Sequence, residues 1–201
     1  MKARRNAPLS PRLLVVISLC AGCVALAVAY FAVVRPNEQK AAEAIDVGDF
    51  LNGSPNEPSA DNPLKVGDHA PTLRLTGLNG PDVALADLNG KVVVINFWAA
   101  SCTPCRKEMP LFEAASKKSS DSVAFVGVDV SESVATGTKM IKETGVTFPQ
   151  TRDPDGQLIR AFGGIQLPHT VVLSADGKVS AVHNRTITSA AELDDLIKAA
   201  K

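Results

Sequence analysis

Cysteine and histidine are scarce in this chain, at four and three of 201 residues. The histidines (His69, His169 and His183) are scattered, so neither cysteine pair has the second ligand pair that a structural zinc site wants. Acidic residues are absent before position 36, where five basic ones stand: Lys2, Arg4, Arg5, Arg12 and Arg35. The formal net charge of zero hides this asymmetry, because the remainder holds 16 basic against 21 acidic residues. A mildly acidic body without a basic patch lacks the electrostatic footprint of nucleic-acid binding. Internal repeats are absent too, which excludes solenoid and propeller architectures.

Charge is also missing from Leu13 to Val34, an apolar run long enough as a helix to cross a bilayer. Four positive charges precede it. The positive-inside rule therefore expects residues 1–12 in the cytoplasm, 13–34 as a membrane anchor, and the body exported. A cleaved signal peptide ending in Ala27-Val28-Ala29 and a lipoprotein at Cys23 are the alternatives. Cys20 and Cys23 fall inside the run, where a thiolate would be desolvated and unreactive. They read as small apolar residues on one helix face. Residues 35–65, rich in Pro, Asn, Ser, Gly and Ala, read as a tether with a reach of roughly 30 Å. A short helix around Ala41–Ile45 is possible within it.

From Val66 the pattern is that of a globular domain, 66–201. Two short alternating segments flank Asn79-Gly80 as a hairpin. "KVVVINFW" (91–98) reads as a strand buried on both faces, and "SVAFVGVDV" (122–130) as a second. Helical patterns run from the "SCTPC" motif to Lys118 and over 132–145, ending at Gly145. "DPDG" (153–156) is a turn before a short helix through Phe162. "HTVVL" and "KVSAV" flank Asp176-Gly177 as another hairpin. Ser189 and Glu192 have capping-box spacing ahead of a C-terminal helix. The expected class is α/β, a mixed sheet flanked by helices.

The remaining cysteines, Cys102 and Cys105, sit where a buried strand gives way to a helix. Pro104 suits a first helical turn, where its missing N–H costs nothing. A helix N-terminus presents free N–H groups and a positive dipole end, which lower a thiol's pKa. Cys102 is therefore the expected exposed nucleophile, and Cys105, about one turn deeper, the resolving thiol. A permanent staple is the competing reading, but so small a loop removes little chain entropy. Glu108, three residues past Cys105 on the same face, is a candidate base for it. A solvated surface glutamate is the alternative. Pro110 should kink the helix.

"VVVINFWAASCTPCRKEMP" resembles the active-site strand and helix of the TlpA/ResA-like thioredoxins, membrane-anchored thiol–disulfide oxidoreductases of bacterial envelopes. "VGDHAPTLRLTGLNG" resembles the N-terminal hairpin of that family, and "LPHTVVLSADGKV" its cis-proline loop and following hairpin. The likeness covers about residues 66–200 and implies a thioredoxin-like fold. It also implies Cys102 as nucleophile, Cys105 as resolving thiol, Glu108 as the acid after the second cysteine, and Pro168 as the cis-proline. Leu167 would pair through its backbone with an extended substrate. Asn96 stands where ordinary thioredoxins bury an acid. Trp98 matches the family's strand-end tryptophan, with core packing its main job and the substrate rim the other. Ser101, Thr103 and His169 depart from the common pattern. His169 reads as a loop histidine, or as a titrating group if it lies near the sulfurs.

The resemblance further implies a reductant of envelope disulfides that needs no cofactor, with oxidised apocytochrome c or copper-site assembly proteins as clients. It implies a polytopic membrane thiol carrier as electron donor. The expected state is a single-pass monomer in the bacterial cell membrane, its catalytic domain outside the cytoplasm. A copper metallochaperone and a peroxiredoxin-like peroxidase are the alternatives. The first would separate its cysteines by three residues. The second would carry threonine three residues before its reactive cysteine, where Ala99 precedes Cys102 and Cys102 precedes Cys105.

Overall fold

The computed structural model describes residues 45–46, 61–119 and 121–201. The expected membrane run lies outside them, as do Cys20 and Cys23. Among the described residues no helix is long and apolar enough to cross a membrane.

Two sheets form. The smaller joins β1 (Ile45–Asp46), β2 (Leu73–Leu75) and β3 (Val83–Ala84), with β1 parallel and β3 antiparallel to β2. The expected N-terminal hairpin is thus present, but its second arm is only two residues long and turns at once into a 3-10 turn, Leu85–Leu88. Ile45, expected at the end of a short helix, opens β1 instead. Leu64, just before the expected domain start, is buried in the core and donates its N–H to the Ala161 carbonyl at 2.8 Å.

The main sheet holds β4 (Val92–Trp98), β5 (Val123–Val130), β6 (Gln150–Asp153), β7 (His169–Leu173) and β8 (Val179–His183), in the order β6-β5-β4-β7-β8. β4, β5 and β6 run parallel, while β7 and β8 are antiparallel to their neighbours. All seven residues of central β4 are buried. Its alternation divides the core. Val93, Ile95 and Phe97 face one apolar cluster together with Leu73, Val128 and Phe162. Val94 and Trp98 face the other, with Met109, Phe112, Met140 and Leu193.

Among the described residues four α-helices flank the sheets: α1 (Thr103–Lys118), α2 (Val134–Thr144), α3 (Gln157–Ala161) and α4 (Ala190–Ala199). Several boundaries have a chemical cause. Ser133 caps α2 through the Thr136 N–H, and Gly145 closes it in the left-handed conformation. Both Asp153 carboxylate oxygens take N–H groups at the start of α3, from Leu158 and Ile159 at 3.1 and 2.9 Å. Ser189 accepts the Glu192 N–H at 3.2 Å, and Glu192 reaches back to the Thr188 N–H at 3.0 Å. α1 is assigned as one continuous helix through the exposed Pro110.

Candidate active site

The CxxC motif lies at the carboxyl end of β4, the place where parallel α/β sheets gather their functional groups. After Trp98 the chain turns tightly, and the Cys102 N–H bonds the Ala99 carbonyl at 3.0 Å. Cys102 then caps α1: its backbone is extended, and its Sγ accepts the Cys105 N–H at 3.2 Å. Pro104 occupies the first turn, where no donor is lost. The two cysteines form a disulfide. Cys102 is half-buried, whereas Cys105 is wholly enclosed among Trp98, Met109 and Phe112. One sulfur therefore faces solvent at a helix N-terminus, and the other lies beneath it in apolar surroundings.

Glu108 is not a solvated surface residue. It is 1% exposed, although it belongs to a helix whose neighbouring Lys107 is open to water. Its Oε1 accepts from Asn96 Nδ2 at 2.9 Å, and its Oε2 from the Ile187 N–H at 2.9 Å. Asn96 is on the α1-facing side of β4 and also reaches Thr170 Oγ1 of β7 at 3.3 Å. Burial pushes the Glu108 carboxyl up to about 7, against the lowering effect of these two donors. The result is a buried acid on the Cys105 face of α1, poised to exchange a proton at neutral pH.

The Leu167–Pro168 peptide is cis, and Leu167 packs against both core clusters, one of which contains Cys105 and touches Cys102. His169 is neither a loop residue nor a solvent-facing switch. It is 0% exposed as the first residue of β7. Its Nε2 lies 3.2 Å from the Phe162 carbonyl oxygen, and its Nδ1 lies 2.6 Å from Asn184 Oδ1. Burial lowers its pKa, against the raising effect of its two hydrogen bonds. Trp98, named above for the substrate rim as well as for packing, is 0% exposed and donates its indole N–H to Gln150 Oε1 at 2.9 Å. It presents no surface to a substrate; its place is the core.

One contributor to the motif is invisible in the local sequence. Glu132, in the loop after β5, accepts the Ala100 N–H at 2.6 Å and the Ser101 N–H at 3.2 Å. Its carboxylate thus holds the turn that delivers Cys102. Arg106 ties the same turn to α2, reaching the Ala100 carbonyl and pairing with Glu143. The only available signal was that β5, like β4, ends at the carboxyl edge of the sheet.

The profile of the AhpC/TSA family matches residues 66–182, more than half of the chain. The chain belongs to the AhpC/TSA family. Within that family its curated relatives are thiol–disulfide oxidoreductases. The ResA protein of Bacillus subtilis is 38% identical over 126 residues, covering 62% of this chain and 70% of that one. The ResA protein of Geobacillus thermodenitrificans is 35% identical over the same length, covering 62% and 72%. Among solved structures, a putative thiol:disulfide interchange protein DsbE from Chlorobium tepidum superposes with a TM-score of 0.60 at 30% identity, covering 68% of this chain and 98% of that one. A DsbF homologue from Corynebacterium diphtheriae gives 0.59 at 30% identity, covering 75% and 99%. This AhpC/TSA member is accordingly a thioredoxin-like thiol–disulfide oxidoreductase with a CxxC active site, similar to ResA and DsbE.

Proposed function

We propose that the protein reduces disulfides in envelope proteins from a membrane tether, with Cys102 as nucleophile, Cys105 as resolving thiol and Glu108 as its base. The observation that carries this reading is the pairing of a half-exposed sulfur at the α1 N-terminus with a buried sulfur one helical turn from a buried, near-neutral carboxyl.

The steps follow from that geometry. In the reduced enzyme the Cys105 N–H and the free amides of the first turn stabilise a Cys102 thiolate. The thiolate attacks one sulfur of a client disulfide. The S–S bond breaks, a mixed disulfide forms, and the client's other sulfur leaves as a thiolate. Glu108, ionised, takes the proton from buried Cys105. The new Cys105 thiolate attacks Cys102 Sγ, releasing the client's second thiol and leaving Cys102–Cys105 oxidised. The client gains two electrons and the enzyme dithiol loses them. A membrane thiol carrier returns them, because an oxidising compartment does not. The Leu167 backbone beside cis Pro168 would receive the client chain as an added strand.

The extracytoplasmic site rests on the basic N-terminus and the apolar run 13–34. The client class, apocytochrome c or copper-site assembly proteins, rests on the TlpA/ResA-like resemblance. Trapping tests both. A Cys105→Ser variant halts at the mixed disulfide, so mass spectrometry of captured partners should return exported dithiol proteins. A catch made up of cytosolic proteins would refute the assignment.

A further inference from the structure

β5 ends in a second buried acid that the reaction above does not use. Asp129 is 1% exposed, and neither of its carboxylate oxygens has a donor from the surrounding structure. An ionised carboxylate so placed would be left without compensation. Trp98 is its partner in β4, Arg152 its partner in β6, and a Cβ at Gly137 of α2 would collide with Asp129 Oδ2. The carboxylate that acts on it is that of Glu132, three residues on in the loop after β5, the same group that holds the Ala100 and Ser101 amides.

We propose that Asp129 and Glu132 share one proton, and that Asp129 is a positioning residue which, through Glu132, fixes the turn presenting Cys102. Protonated Asp129 donates its O–H to Glu132, whose oxygens keep their two backbone donors. The pair then carries one negative charge rather than two next to the turn leading into the nucleophile. The other charges facing the pair are Arg152, across from Asp129, and Arg106, Lys139 and Glu143, which line the cleft with Glu132. Burial first and Glu132 second hold the Asp129 carboxyl up at about 7, with Arg152 opposing them. A lone aspartate in water would be ionised two or more pH units lower. The role assigned to Cys102 rests on the reading given under Proposed function; the shared proton does not.

The test uses the full-length reduced chain in mild detergent. Carboxyl-carbon NMR should show Asp129 titrating near neutrality, and E132Q, an isosteric change, should return it toward the ordinary aspartate range. Amide exchange at Ala100 and Ser101 should speed up about tenfold in D129A, as expected for loss of a hydrogen bond to a charged group. D129N can still donate to Glu132 and should keep those amides slow. Alkylation of Cys102 should shift its pH profile in D129A and be restored in D129N. An Asp129 that titrates as an ordinary aspartate overturns the proposal, as do amides indifferent to D129A. If D129A does not fold, E132Q and D129N decide the question through the titration. If the amides and carboxyl behave as expected but Cys102 reacts like any free thiol in every variant, the pair stands and the nucleophile assignment fails.

Discussion

At the scale of single residues, the chemistry depends on what burial does to two kinds of acid. The Cys105 thiol is enclosed in apolar surroundings, which disfavours its thiolate. Glu108, one turn on, is raised to about 7 by the same cause. In the proposed mechanism a proton passes between them, and below neutrality Glu108 is protonated and unable to accept it. Glu108→Gln should therefore slow turnover at pH 7 by about a hundredfold or more and remove the acidic limb of the rate profile. A profile that stays in place would assign the proton transfer elsewhere. Cys102→Ser should abolish insulin reduction, whereas the fold, whose core does not depend on that sulfur, should survive by circular dichroism. The spacing of Glu108 from Cys105 was legible in the sequence. Its burial was not, because its partners are 12 residues upstream in Asn96 and 79 downstream in Ile187.

At the scale of elements, the strands and helices with strong local signals stand where periodicity places them. β4 is an almost continuous apolar run, α1 begins at Thr103 with Pro104 in its first turn, and α2 closes at Gly145. β6 gave no such signal. Its sequence, Gln-Thr-Arg-Asp, is polar throughout. It becomes a strand because the edge of β5 offers a ladder, and because its buried polar groups find partners there. Thr151 donates to the Gly127 carbonyl at 2.9 Å and Gln150 accepts from Trp98. Asp153, read beforehand only as part of a turn, caps α3 from within the core. Asp153→Ala should strip two N–H groups of their acceptor and lower stability by about 1–3 kcal/mol in urea unfolding. Ser189→Ala, at an exposed cap, should lower it by about 1 kcal/mol. An equal loss in the two variants would show that the burial of Asp153 adds nothing.

At the scale of the whole molecule, three buried carboxyls with raised pKa values, Glu108, Asp129 and Asp153, give stability an unusual pH sense. A carboxyl that binds its proton more tightly when folded stabilises the fold fully below its unfolded pKa, and loses that contribution as pH rises through the folded value. For Glu108 the window runs from 4.5 to about 7, and the loss is about 3 kcal/mol. Asp129 adds a loss of the same sign from 3.8 to about 7. Glu113, lowered by Lys117 and Thr147 against the pull of burial, opposes them only below 4.5, whereas His169 and His183, lowered by burial, oppose them as pH rises through their unfolded value of 6.5. The urea midpoint, followed by the single, wholly buried Trp98, should fall between pH 5 and pH 8. Glu108→Gln should flatten part of that fall; an undiminished slope would exclude Glu108 as its source. By itself the sequence determined the α/β class, the strand-to-helix placement of Cys102 and Cys105, and the candidacy of Glu108. Periodicity, capping and short spacing are properties of neighbouring residues, and the chain carries them before it folds. Only the tertiary structure decided that Glu108 and Asp129 are dry, that Trp98 and His169 belong to the core, and that Glu132 grips the turn before Cys102. Dielectric environment and hydrogen-bond partners are set by residues brought together across the sheet, and no local pattern encodes them.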